Sequence, residues 1–173
     1  MIDKLLERLT RNWRPRTIRR DVSVDPPYLT RWYLNHLPRM PDGSFPFDDC
    51  GVPREGAGDE DRAYNVWLHK FGQDDEDDVH DHPYEWGCSI ILSGGYIEER
   101  YDTVTDKYST RVLLAPAVNF LRHHDFHRVT LIGGQPAWSL FITGKRTKNW
   151  GFIDRKTGLY MHWATYFERM RKR

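Results

Sequence analysis

Residues 80–96 read HDHPYEWGCSIILSGGY, and this stretch decides the fold. His80 and His82 stand at i and i+2 at the start of a β-type run, a spacing that turns two side chains to one face of a strand. Pro83 follows, then an apolar run over Gly87 to Leu92, a turn at Gly94-Gly95 and a new run opening on Tyr96. Further along, His127-Arg128-Val129 opens another strand, from which His127 supplies a third imidazole. Neutral imidazoles suit Fe, Zn, Cu, Ni or Mn, and three protein ligands leave coordination positions open. Two ordinary surface histidines are the competing account of an isolated His-x-His pair. His123 and His124 compete with His127 for the third position, but His127 begins the β-run and they precede it.

Outward from this stretch the texture is short β-type runs separated by turns. The runs are Tyr64 to His69, Val79 to His82, Gly87 to Leu92, Tyr96 to Asp102, Tyr108 to Leu114, Val118 to Arg122, His127 to Ile132, Ala137 to Ile142, Trp150 to Ile153 and Leu159 to Ala164. Gly94-Gly95, Thr105-Asp106, Pro116, Gly133-Gly134, Gly144 and Thr157-Gly158 punctuate them. No helical period falls between the strands, so a parallel α/β sheet is disfavoured and an all-β jelly roll is expected. Ile2, Leu5, Leu6 and Leu9 at helical spacing predict a short helix over Ile2 to Asn12, stopped by Pro15. Tyr28 to Leu37 is β-prone, and residues 38–58 read as a long loop. The chain is expected to be one domain: helix and extension over 1–60, barrel over 61–164, and a basic tail, helical or frayed, over 165–173. The acidic run Asp74 to Asp78 reads as a solvated loop, with attraction of a metal as a secondary role.

At 173 residues the chain suits one core of ordinary size. With 26 Lys+Arg against 25 Asp+Glu, no global field favours nucleic acid or an anionic membrane surface. No apolar run approaches the roughly 20 residues of a membrane helix, and Met1 to Arg20 lack the pattern of a secretory signal. Cys50 and Cys88 are distant and unpaired in spacing, as reduced thiols are. These features lead to the expectation of a cytoplasmic protein. Seven Trp, nine Tyr and eight Phe, in a chain only 39% apolar, mean that large rings must supply much of the buried area.

The order His-x-His, strand, Gly turn, then Pro116 and His127 resembles the two sequence motifs of the cupin superfamily, over about half of the chain from Tyr64 to Ile153. The resemblance implies a jelly-roll barrel (a double-stranded β-helix) with a divalent metal inside, held by His80, His82 and His127. It also exposes a departure. Cupins usually carry a glutamate ligand after the second histidine, and counting back from Gly94 puts Gly87 there; Glu85 fits the spacing poorly. A three-histidine site is therefore expected. The same substitution marks thiol dioxygenases of the cysteine dioxygenase type, in which iron is held by three histidines and some members have a cysteine in place of the glutamate. Cys88 approximates that cysteine, in a register that needs one extra residue, and is otherwise a small core side chain. The strings HDHP, ILSGGY, FITG and WGF are similar to a group of uncharacterised bacterial and phage cupins.

Further candidates surround the metal ligands. Glu85 is read as a fourth ligand, a general base, an outer partner of an imidazole N–H, or a rim ion pair. Arg122 is read as a bidentate anion clamp or a surface arginine. Tyr96 and Trp138 line the mouth or fill the core, and Asp81 points away from the barrel interior. Fe(II) is the favoured metal, with Zn, Ni or Mn as alternatives. The favoured function is a mononuclear non-haem iron dioxygenase acting on a small polar molecule. Two alternatives stand beside it: a metal-dependent isomerase, epimerase or lyase on a sugar or keto acid, and a non-catalytic ligand-binding barrel. The resemblance also implies a homodimer.

Overall fold

From its amino-terminal end the chain forms a helix, α1 (Ile2–Thr10), and two strands, β1 (Arg16–Ile18) and β2 (Leu29–Tyr33). The body follows as β3 (Asn65–Phe71), β4 (Trp86–Ser93), β5 (Gly95–Asp102), β6 (Lys107–Leu114), β7 (Ala117–Arg122), β8 (Phe126–Leu131) and β9 (Ala137–Thr143). A hairpin, β10 (Gly151–Ile153) and β11 (Tyr160–His162), leads into α2 (Trp163–Arg171). These elements come from a computed structural model that describes residues 2–13, 15–18, 25–35 and 62–171. The whole of the expected 38–58 loop, Cys50 included, and the last two residues of the tail lie outside the described residues.

Two antiparallel layers face each other. One has the order β1-β2-β3-β9-β4-β7 and the other β6-β5-β8. His80 joins β8 to β10 by bridging His127 on one side and Phe152 on the other, which extends the second layer to β11. Strand alternation then decides what faces inward. On β4 the buried residues are Gly87, Ser89 and Ile91, and on β7 they are Asn119 and Leu121. Gly94 makes the β4–β5 turn possible: its φ is +69°, and a Cβ there would lie 2.5 Å from the Pro136 carbonyl oxygen. Ile91, Tyr96, Leu113, Val129, Leu131 and Ala137 form a dry plug between the layers.

The outer face of the larger layer is also covered. Trp138 stacks on Trp32 at 5.4 Å between centroids, and Leu68, Leu92 and Leu6 of α1 pack around them. Full burial of each large ring is worth about 1.5–3 kcal/mol, so this cluster ties β2 and α1 to the barrel. Trp138 is therefore a support residue, away from any mouth. Only part of the expected apolar face of α1 is used, since Ile2, Leu5 and Leu9 each remain about half exposed.

Several boundaries differ from expectation for local reasons. Val79–His82 does not run as a strand, because after the His80 bridge the Asp81 N–H turns to the Gly151 carbonyl. Leu159–Ala164 splits into β11 and the start of α2, whose Tyr166 lies face to face with Phe152 at 3.8 Å. The carboxy-terminal stretch is thus a packed helix as far as it is described. Among the described residues no helix is long and apolar enough to cross a membrane.

Candidate metal centre

His80 and His127 are placed by the backbone itself: each N–H donates to the carbonyl of the other, at 2.9 Å both ways. His82 follows two residues on, and its Nε2 lies 2.8 Å from His127 Nε2. One ligand atom from each of the three histidines falls within 4.8 Å of the others. Nitrogens bound at about 2.0–2.1 Å to a single ion stand about 3–4 Å apart, so His82 and His127 are already that close and a small turn of an imidazole brings the three onto one divalent transition ion. Burial first, and then the nearby His127 and His80, hold the His82 imidazole well below its usual pKa, which keeps its lone pair free for a metal.

Two of the three rings are backed by carboxylates. His127 Nδ1 lies 2.8 Å from Glu98 Oε1, and His80 Nδ1 lies 3.3 Å from Asp75 Oδ2. The Glu98 carboxylate at His127 Nδ1 draws that ring's proton there and leaves Nε2 as the donor to a metal, while Asp75 sets a negative charge beside the His80 ring. Glu98 is fully buried on β5. Burial alone would raise its pKa, but hydrogen bonds and charge from His127, Arg100 and Asn119 hold it far below the usual carboxylate range. Its Oε2 accepts from Arg100 Nε at 2.9 Å and Arg111 Nε at 2.6 Å, and its Oε1 also accepts from Asn119 Nδ2 at 2.7 Å.

Neither carboxylate was singled out from the sequence for this work. Asp75 is 3% exposed, so the solvated-loop reading of the acidic run is corrected at this position: the Asp75 N–H bonds to Val129 and Asp74 accepts from the Leu131 N–H, laying the segment along β8. For Glu98 a signal was present, because Tyr96, Glu98 and Arg100 share the inward parity of β5, where a charged pair demands an explanation.

The other candidates fall in varied places. Glu85 is exposed, with its N–H bonded to the Lys145 carbonyl, and it does not join the histidine group. Cys88 is half-buried on the face of β4 opposite Gly87, flanked in register by Phe120 and Ile142, and it too stands outside the group. Arg122 is exposed at the end of β7, paired in register with Trp86. Tyr96 is buried in the plug, its hydroxyl 3.4 Å from Asn119 Nδ2, so it reaches His127 only through Asn119 and Glu98. His123 and His124 are exposed in the loop before β8. Asp81 turns away from the site as alternation requires but is buried, accepting from the Gly151 N–H at 2.8 Å and pairing with Lys148.

Gly87 does face the barrel interior. A Cβ added to it would lie 3.0 Å from Phe141 Cζ, and the Phe141 ring stands 5.7 Å from that of His82. The side of the site from which a fourth protein ligand would project is therefore filled by a phenyl ring.

No protein-family model and no curated protein matches this sequence. Solved structures do match. A cupin-2 domain from Rhodospirillum rubrum aligns at 9% identity and TM-score 0.50, over 80% of this chain and 74% of that one. An oxalate oxidase in complex with glycolate aligns at 12% identity and TM-score 0.48, over 78% of this chain. This chain spans 59% of that oxidase's length. Oxalate decarboxylase from Bacillus subtilis aligns at 18% identity and TM-score 0.44, over 53% of this chain and 24% of its own. At such identities the likeness concerns architecture alone. Facing antiparallel layers, a glycine turn after the His-x-His segment, and the alignment with the Rhodospirillum domain lead to one conclusion: this chain has the cupin fold.

Proposed function

We propose that the chain is a mononuclear non-haem iron dioxygenase that acts on a small polar molecule inside the barrel. The observation that carries the reading is the donor set: three imidazoles converge with no carboxylate among them in the described residues, and Phe141 fills the space above Gly87. A divalent ion held by His80, His82 and His127 supplies Lewis acidity and redox capacity, with positions open for substrate and O₂. The chain's own residues do the rest. Glu98 orients the His127 ring and fixes its tautomer, Asp75 sets a negative charge beside His80, and Phe141, Trp150 and Phe152 crowd His80 and His82 and limit water around them.

Metal analysis of the purified protein, followed by anaerobic Fe(II) loading and O₂-uptake assays over thiols, catechols and diketones, tests the proposal. Iron-dependent uptake that disappears in His127→Ala supports it. Turnover that survives with Zn and needs no O₂ overturns it in favour of Lewis-acid chemistry.

A further inference from the structure

Arg31 on β2 stands opposite His69 on β3, and its Nε donates to His69 Nε2 at 2.9 Å. An arginine has no acceptor to offer, so His69 carries its proton on Nδ1 and is neutral. Burial first, then Arg31 and Arg16, press the His69 pKa well below its usual value. The Arg31 guanidinium carbon also lies 4.8 Å from the centroid of the Trp67 ring. The side chain is therefore held by a ring nitrogen and a π-face, both neutral. No carboxylate meets it among the described residues, and Arg16, its register partner on β1, adds a second positive charge.

The same corner holds other donors without acceptors. The Trp67 indole N–H and the Ser139 hydroxyl are both buried without a hydrogen-bond partner. Trp67 and Ser139 are each 1% exposed, and Ser139 is paired in register with His69. Leaving such groups dry costs about 1–3 kcal/mol each, a strain that a bound acceptor relieves. The corner adjoins the metal centre through one side chain: the Phe141 ring is 5.1 Å from His69 and 5.7 Å from His82.

We propose that Arg31, with the Trp67 indole N–H and the Ser139 hydroxyl beside it, receives the carboxylate of a small organic acid and presents the remainder of that molecule to the histidines. With Nε engaged by His69, the two terminal nitrogens remain as a planar pair that matches the two oxygens of a carboxylate. The second half of this statement rests on the metal-site reading above; the first half does not.

The test is titration of the protein, as purified and after chelation, with acetate, inorganic phosphate and chloride, followed through the Arg31 Nε–H and Trp67 Nε1–H signals in ¹H–¹⁵N NMR. Acetate should shift both signals saturably, and Arg31→Gln should weaken its binding at least about tenfold, the loss expected for one charge-assisted pair. Arg31→Lys, which keeps the charge and loses the fork, should fall between. Should Arg31→Gln fail to fold, Trp67→Phe and Ser139→Ala each remove one donor and should each weaken acetate. Undiminished binding in Arg31→Gln, equal shifts with chloride, or a response to phosphate without one to acetate overturns the assignment. Acetate binding that persists after chelation and in His127→Ala supports the Arg31 site even where metal loading fails, so the two readings fall separately.

Discussion

Arg100 and Arg111 on one wall of the barrel and Arg31 on the other carry the same guanidinium in different electrical company. The first two close on Glu98, whose carboxylate also meets His127. Arg31 closes on a neutral imidazole and an indole face. On the Glu98 wall charge is spent internally, and the product is a fixed ring orientation. On the Arg31 wall positive charge is left over, which is what a site for an anion requires. Pairing, more than residue type, separates a positioning arginine from a binding one.

The largest effect expected from breaking this contrast lies at Glu98. Glu98→Ala leaves two arginines and Asn119 around a vacated acid and should cost about 3–5 kcal/mol of unfolding free energy, read by denaturant titration. A loss under about 1 kcal/mol would mean that the network is ornamental. Next comes Asp75→Asn, which retains shape while removing the charge behind His80. It should lower metal affinity about 10–100-fold, measured by competition with a chelator, with little change in far-UV circular dichroism.

A pH effect follows from His69. Its folded pKa is depressed below the unfolded value of about 6.5, so below that pH the unfolded chain binds a proton that the folded chain refuses. Its contribution to stability is complete above about pH 6.5 and is lost as pH falls, by up to about 1.4 kcal/mol per pH unit. The slope of stability against pH between 5 and 6.5 should therefore be shallower in His69→Gln, about those pH values where a histidine titrates. A smaller loss is expected on the other wall: Arg31→Gln should cost about 1–2 kcal/mol in the same denaturant assay, less than Glu98→Ala, because it takes the donor from His69 Nε2 but abandons no buried acid. A loss matching that of Glu98→Ala would make Arg31 structural.

The histidine triad and the barrel were legible in the sequence because both rest on short-range rules. An i, i+2 pair shares a strand face whatever the rest of the chain does, and turn residues at Gly94-Gly95 and Gly133-Gly134 mark hairpins locally. Gly87 was legible as the place of a missing ligand, but Phe141, which fills that place, was not, since nothing local aligns the two. Glu98 was half legible from its parity on β5. Asp75 was hidden in an acidic run whose composition reads as solvent-facing, and only its pairing along β8 carries it inward. Arg31 was out of reach, because its role depends on β2 pairing with β3 across a long intervening segment. Glu85 and Arg122 attracted attention by nearness in sequence to the ligands, whereas strand direction leaves both exposed.

What sets this site apart is a single metal held by three imidazoles and no protein carboxylate. A crystal structure with anomalous data collected at the metal edge tests it most directly. One peak per chain is expected, at about 2.0–2.2 Å from a nitrogen of each of His80, His82 and His127. A peak ligated by Glu85, Glu98 or Asp75, or none at these histidines in metal-loaded protein, would contradict it.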